Sequence, residues 1–318
     1  MESSYVIGID VGGQTTKLGV VDARGAVLAQ TVLRTDTSAE VGPYIEELAE
    51  AVRKVISDAK AEGMIRGIGV GAPNGNYYTG NIENAPNLPW GHNTVRFAKL
   101  LSEAVGGLPV ALTNDANAAA VGEMTYGAAR GMKNFIMITL GTGVGSGIVI
   151  NGEVVYGHDG FAGELGHTSA VRNNGRVCGC GKTGCLEAYC SATGVARTAR
   201  EWLELTDEPS VLRSLDTIAS KDVFDAAKDG DHLALKIFEF TGKLLGRSCA
   251  DFVAFSAPEA IVLFGGLARA KEFLIEPIET ALNENLLPMW KNKVKIVFSQ
   301  LKESDAAILG ASALGWEL

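Results

Sequence analysis

Two stretches set side by side decide the fold: "IGIDVGGQTTKLGVVDARGAVL", residues 7–28, and "MITLGTGVGSGIVINGEVVY", residues 137–156. With Gly12 placed opposite Gly141, each reads apolar strand, glycine turn, apolar strand, polar turn, apolar strand. Val20, Val21 and Asp22 then fall opposite Val149, Ile150 and Asn151 without a gap. Apolar runs bounded by glycine turns are strand signals, and their recurrence far along one chain points to two like halves. The expectation is an α/β chain of two similar halves with a cleft between them, faced by both glycine turns.

The rest of the chain alternates in the same way. In "YIEELAEAVRKVISDAKAEG", residues 44–63, Ile45, Leu48, Ala49, Val52, Val55 and Ile56 recur at helical spacing, which predicts a helix ending at Gly63. "IRGIGVGAP" (65–73) reads as a strand that leaves into a long polar loop, and "LPVALTND" (108–115) as a strand handing over to the helix "ANAAAVGEMTYGAARG" (116–131). From Ser191 onward the pattern is mostly helical, including "ATGVARTAREWLEL" (192–205), with one strand in "EAIVLFGG" (259–266). The final helix is expected over 304–316, capped by Ser304 and Asp305. We draw the domains as 1–115 with 303–318, and 116–302.

Bulk properties narrow the function. A chain of 318 residues, 47% apolar, has material for one large or two medium cores. Its net charge is −9 with no basic run, which argues against nucleic acid or an anionic membrane as partner. The uncharged stretch "FIMITLGTGVGSGIVI" (135–150) is broken by glycines and is short and wrong in composition for a membrane span. "MESSYVIGID" carries no basic leader, so a cytoplasmic, reducing address is expected.

Three glycine turns follow strands. Gly12 and Gly13 come after Asp10; Thr142 and Gly143 sit in "LGTGVGSG"; Gly265 and Gly266 open a helix. Glycine lets backbone N–H groups approach phosphate oxygens, and a carboxylate at a strand end can hold hydrated Mg²⁺. The side chains of Gln14, Thr15 and Thr16 would add donors. No GxxxxGK[ST] loop is present, so a Walker-type site is excluded. Together the turns point to a nucleotide held by backbone donors and a helix N-terminus. Asn114 and Asp115 have two readings, a plain helix cap or a general base poised to take a proton from a substrate hydroxyl, and spacing does not separate them.

The chain has only 4 His and 5 Cys, yet "GELGHTSAVRNNGRVCGCGKTGC" (163–185) holds His167, Cys178, Cys180 and Cys185. An odd cysteine count and a reducing address weaken a disulfide reading. Three thiolates and an imidazole are a full tetrahedral set for structural Zn²⁺; the alternative is reduced thiols that happen to be neighbours. Cys190 and Cys249 lie in helical sequence and read as core residues.

"GIDVGG", "TNDANAAAVGE", "LGTGVGSGIVINGEVVYGHDGFAGELGH" and "CGCGKTGCLEAYCSATG" together resemble the ROK family of bacterial sugar kinases and repressors, from the first strand to the last helix. The resemblance implies the actin/hexokinase-like (ribonuclease H-like) fold, with ATP and sugar in a cleft between two α/β domains. It implies ATP-dependent phosphorylation of a hexose at its 6-hydroxyl, glucose foremost; another hexose or N-acetylhexosamine, or a non-catalytic sugar sensor, are the alternatives. By the same resemblance Asp115 is the catalytic aspartate, and Asn114, Glu164, His167 and Glu187 hold the sugar. His167, Cys178, Cys180 and Cys185 are zinc ligands, while Asp10, Gly12, Gly13, Gln14, Thr15, Thr142, Gly143, Gly265 and Gly266 surround ATP and its Mg²⁺. A homodimer is also implied.

The chain departs from the family in two places. Gln14 stands where a threonine is usual, and "GAPNGNYYTGN" (71–81) lacks the glycine that commonly follows the proline. Asn74, Tyr77 and Tyr78 would reshape the sugar entrance, or be loop tyrosines without a role. Repressors of the family carry an N-terminal helix-turn-helix domain, for which a first strand starting near residue 5 leaves no room.

Overall fold

The structure is a computed structural model that describes residues 4–37 and 39–318. The chain forms two compact units: 1–132 with 154–163 and 300–318, and 133–153 with 164–299.

The first unit is built on a five-stranded sheet. β1 (Tyr5–Val11), β2 (Thr15–Val21) and β3 (Val27–Arg34) form an antiparallel meander. β4 (Ile65–Gly71) pairs parallel with β1, and β7 (Val110–Thr113) parallel with β4, giving the order β3-β2-β1-β4-β7. The long loop after β4 contains a two-residue ribbon, β5 (Gly75–Asn76) with β6 (Asn81–Ile82). Helices α1 (Val41–Asp58) and α2 (Phe97–Ala104) cover one face, packing Tyr44, Leu48, Val52, Phe97 and Leu101 on Ile7, Ile9 and Val70. α3 (Asp115–Tyr126) and the last helix, α9 (Glu303–Gly315), cover the other. Two sheet glycines allow this: a Cβ on Gly8 would fall 2.0 Å from the Ile308 carbonyl oxygen, and one on Gly69 would fall 1.9 Å from that of Ala311. α9 therefore lies directly on the sheet backbone.

The second unit repeats the plan. β8 (Phe135–Leu140) and β9 (Val144–Ile150) are antiparallel, β10 (Glu153–Val154) extends that edge, and β11 (Ala260–Phe264) and β12 (Lys295–Phe298) add parallel strands in the order β10-β9-β8-β11-β12. Its helices are α4 (Glu187–Cys190), α5 (Ala192–Leu205), α6 (Ser220–Lys228), α7 (His232–Ser256) and α8 (Lys271–Asn285). They bury Ile237, Phe238, Leu245, Val253, Leu274 and Ile278 against Ile136, Ile138, Ile261 and Leu263. Each fully buried side chain of this size contributes ~1.5–3 kcal/mol. The doubled sheet is the actin/hexokinase-like fold, and both glycine turns, residues 12–14 and 141–143, fall in the register read from the sequence.

Four local expectations are corrected. α1 stops at Asp58 because Lys60 takes a left-handed φ of 54° and the chain turns there, before Gly63. α9 begins after Lys302, and Ser304 donates its hydroxyl to Asp305 rather than capping the helix. β12 was missing from the expected strands. Finally, the boundary drawn at 115/116 cuts α3 from the unit it packs in, since α3 lies against α9 and β4. Residues 154–163 likewise join the first unit.

Candidate functional site

The residues singled out by sequence fall into two sets, one on each unit. On the first unit, Asp10, Gly71 and Thr113 stand in one row across β1, β4 and β7, and Asn114 and Asp115 follow at once. A glycine at the middle of this row leaves no side chain between the two carboxylates; a Cβ there would lie 3.6 Å from the Asp115 Cα. The carboxyl of Asp10 is raised to about 6 by its burial and, next, by the charge of Asp115, against the opposing pull of Lys17. Asp115 keeps an accessible edge but is crowded by protein, and that desolvation raises its pKa above the ordinary range; the N–H of Ala116, bonded to its Oδ1 at 2.9 Å, opposes the rise. Two carboxylates, one acting on the other, with Lys17 beside them, suit a divalent cation held through oxygen.

Asn114 is the N-cap of α3: its Oδ1 accepts the Asn117 N–H at 2.7 Å. The cap reading thus holds for Asn114, while Asp115, the next residue, is the exposed acid of the pair. The turn after β1 is closed by Gly12 N–H donating to the Thr15 carbonyl (3.0 Å), and a Cβ on Gly13 would meet the Asn87 carbonyl oxygen at 2.7 Å. Gln14 and Thr15 are exposed. Thr16 is not available as a donor to ligand: it is buried, with its hydroxyl 2.8 Å from that of Thr35 and 2.6 Å from that of Tyr44. Strand alternation puts Thr15 and Thr16 on opposite faces, so only one could face solvent.

On the second unit, Thr142 is exposed at the tip of the β8–β9 turn, and its carbonyl accepts the Thr193 hydroxyl from the first turn of α5 (2.9 Å). Gly265, at φ 103°, packs where a Cβ would sit 2.6 Å from the Leu140 carbonyl oxygen, bringing the Gly265–Gly266 turn alongside the end of β8. The turn of Glu164–His167 lies on β9: Leu165 N–H donates to Ser146 Oγ (3.0 Å), and a Cβ on Gly166 would be 2.0 Å from the Val144 carbonyl oxygen.

His167, Cys178, Cys180 and Cys185 converge, with all four donor atoms within 4.8 Å of one another. His167 Nδ1 is 3.8 Å from Cys178 Sγ, and Cys180 Sγ is 3.7 Å from Cys185 Sγ. A tetrahedron with zinc–sulfur bonds of ~2.3 Å has edges of ~3.8 Å, so the set has zinc dimensions before any ion is added. The other ring nitrogen, Nε2, faces the Glu164 carboxylate at 4.0 Å. Cys190 and Cys249 are fully buried elsewhere in the unit, as expected of core residues.

Two contacts had no sequence signal. Glu187 accepts the Val144 N–H through Oε2 (2.9 Å), while its Oε1 takes the Cys178 thiol (3.5 Å), so one carboxylate joins the cysteine loop to the glycine turn. Arg176 anchors the same loop: its guanidinium reaches Glu201 Oε2, the Ala188 carbonyl and Thr198 Oγ1, and lies 4.5 Å over the Tyr189 ring. A cavity of about 270 Å³ opens beside Thr142, Cys178, Glu187 and the N-terminus of α5.

The sequence pattern of the ROK family matches residues 6–317. A glucokinase of Halalkalibacterium halodurans is 36% identical over 99% of this chain and 95% of its own. The crystal structure of a ROK family glucokinase from Streptomyces griseus in complex with glucose and AMPPNP superposes with a TM-score of 0.79 at 32% identity, covering 99% of this chain and 100% of that one. A ROK family transcriptional regulator, a homologue of the E. coli MLC protein, superposes with a TM-score of 0.88 at 26% identity, covering 99% of this chain and 78% of its own. Matched by the family pattern over residues 6–317 and 36% identical to a relative over 99% of its length, the chain belongs to the ROK family.

Proposed function

We propose that the protein is an ATP-dependent hexose kinase acting on the 6-hydroxyl, with glucose as acceptor. The observation that carries this is the pair Asp10 and Asp115: Asp10 stands in one row with Gly71 and Thr113, Asp115 follows that row, and its charge helps to raise the Asp10 carboxyl. Glucokinase relatives matched over nearly full length support it. Asp115 takes the proton of the 6-hydroxyl as that oxygen attacks the γ-phosphorus and the bond to the bridging oxygen of ADP breaks. Its accessible edge suits it to this task, and crowding by protein brings its pKa nearer to working pH. Asn114, Glu164, His167 and Glu187 hold the remaining sugar hydroxyls. Backbone donors of the turns at Gly12–Gly13, Thr142–Gly143 and Gly265–Gly266, with Gln14 and Thr15, cradle the phosphates.

Mg²⁺ beside Asp10 would neutralise phosphate charge. Zn²⁺ on His167, Cys178, Cys180 and Cys185 would be structural, all four positions of its tetrahedron being filled by protein. The ring of His167 then serves both purposes, with Nδ1 toward the thiols and Nε2 toward Glu164. A cytoplasmic address and pairing of two copies complete the reading; no helix among the described residues is long and apolar enough to cross a membrane.

Sugar-dependent ADP release with Mg·ATP over a panel of hexoses and N-acetylhexosamines tests the proposal, with Asp115→Ala beside it. The expected result is turnover on glucose that falls ~10²–10⁴-fold in the variant while sugar binding survives. The likeness to a transcriptional regulator favours one other reading, a sugar sensor without catalysis. Sugar binding with no ADP release on any acceptor would select it.

A further inference from the structure

Residues 154–163 form a strap: they belong to the first unit, although the chain on both sides of them belongs to the second. Three tyrosines hold the strap. The Tyr156 ring lies flat on that of Tyr77, with centroids 4.1 Å apart and planes 4° from parallel. Tyr78 stands edge-on to both, at 6.2 and 6.0 Å, and its hydroxyl donates to the Gly157 carbonyl at 2.8 Å. Beneath them Asn76, only 3% exposed, donates its amide to the Asp159 carbonyl (2.8 Å) and accepts the Tyr78 N–H (3.0 Å). Gly160 closes on the same amide, and a Cβ there would fall 2.5 Å from Asn76 Oδ1. Behind the stack the Tyr156 hydroxyl faces the Thr113 side chain.

Chain connectivity gives this cluster its meaning. Thr113 immediately precedes Asn114 and Asp115, and Gly163 immediately precedes Glu164. Within the first unit the clasp thus holds the end of the strand that precedes the proposed base to residues 154–163, the segment that leads by sequence into Glu164. Asn76 is buried against a carbonyl of the strap, and Gly157 and Gly160 take φ of 75° and 91°. These make the path of the strap specific, where simple packing would only make it dense.

We infer that Tyr77, Tyr78 and Tyr156, seated on Asn76, are positioning residues for the acceptor sugar: they set the affinity for hexose through the strap and leave the nucleotide turns untouched. This rests on the kinase reading above. The departure of residues 74–78 from the family pattern is then a determinant of acceptor choice.

The experiment compares Tyr77→Ala, Tyr77→Phe and Tyr78→Phe with the wild-type chain. Hydrogen exchange of the amides of 154–163 reports the clasp, and steady-state kinetics with glucose and with ATP report its effect. Tyr77→Ala should speed exchange in the strap and raise KM for glucose about three- to tenfold, the range the loss of one aromatic pair supplies, with KM for ATP within about twofold. Tyr77→Phe keeps the stack and should return both readouts toward wild type, while Tyr78→Phe should loosen the Gly157 end of the strap. Unchanged exchange in Tyr77→Ala overturns the clasp. So does a rise in both KM values together with a fall in thermal midpoint, which is the signature of plain destabilisation. A wild-type chain that releases no ADP overturns the kinase reading instead, and exchange in the strap still judges the clasp.

Discussion

The carboxylate of Glu187 accepts the backbone N–H of Val144 at 2.9 Å, so a side chain that follows the cysteine loop fixes the first peptide after the Thr142–Gly143 turn. The same oxygen explains Gly143: a Cβ there would lie 2.4 Å from Glu187 Oε2. The proposed sugar-side and phosphate-side groups of the second unit are therefore joined through one acid, and on the kinase reading disturbing it should be felt at both substrates.

Gly143→Ala should fold, since the clashing atom is the end of a flexible side chain, but push Glu187 off Val144. A displacement of about 1 Å at a phosphate turn can cost ~10²-fold in rate, so kcat/KM for ATP should fall by one to two decades. Glu187→Gln, which still accepts the N–H, should lose less. Steady-state kinetics on both variants check this, and unchanged constants in Gly143→Ala would contradict the proposed role of the turn.

Protein purified without chelator should contain about one zinc per chain by elemental analysis, because the four donors already stand at zinc spacing. Cys178→Ser should bind metal poorly and be destabilised by more than ~4 kcal/mol, the range reached when a structural metal is lost. Its KM for sugar should rise as well, since His167 lies beside both Cys178 and Glu164. A metal content well below one in wild-type protein would overturn the assignment.

Asp10 gives a pH dependence with a definite sign. Its carboxyl titrates at about 6 in the folded chain against an ordinary value of 3.8. Between those values the native state holds a proton that the unfolded chain has released. The stability contributed by this group is thus fully present below pH 3.8 and lost as pH rises through 6. Two pKa units amount to at most ~3 kcal/mol. In divalent-free buffer Asp10→Asn should be more stable than wild type near neutral pH and about equal to it near pH 4. Urea unfolding at the two pH values checks this; a gap that widens on acidification has the wrong sign.

Gly69→Ala tests the close approach of α9 to the sheet. The added methyl would stand 1.9 Å from the Ala311 carbonyl oxygen, a backbone atom that cannot turn aside. Overpacking of this kind costs ~1–3 kcal/mol or more, and the thermal midpoint should fall accordingly. Gly63→Ala is the control of opposite geometry: nothing lies within 4 Å, so its cost comes only from the positive φ of 74°.

Features governed by nearby residues were legible in the sequence. The register of the two glycine turns follows from strand alternation, and α5 spans 192–205 as its apolar spacing requires. The candidate metal cluster announces itself because three thiols and an imidazole are conspicuous in a chain with so few. What long-range packing decides was not legible. Nothing within α3 says that it lies on α9, and nothing in residues 154–163 says that they return to the first unit. The bond from Glu187 to Val144 spans 43 residues, and Thr16 is withdrawn from the phosphate turn by a hydroxyl 28 residues away on Tyr44. β12 is only four residues long, too short for a periodic pattern to stand out.

The placement of α9 on β1 has a consequence for biogenesis. β1 is covered by α9, so the N-terminal sheet leaves the ribosome with that face covered in part only, by α3. At ~5–20 residues per second, roughly 15 to 60 seconds of translation separate the two partners. The packing of the N-terminal sheet is therefore completed only once α9 has emerged. The second unit, whose strands and helices all lie between residues 133 and 299, is able to fold first and wait.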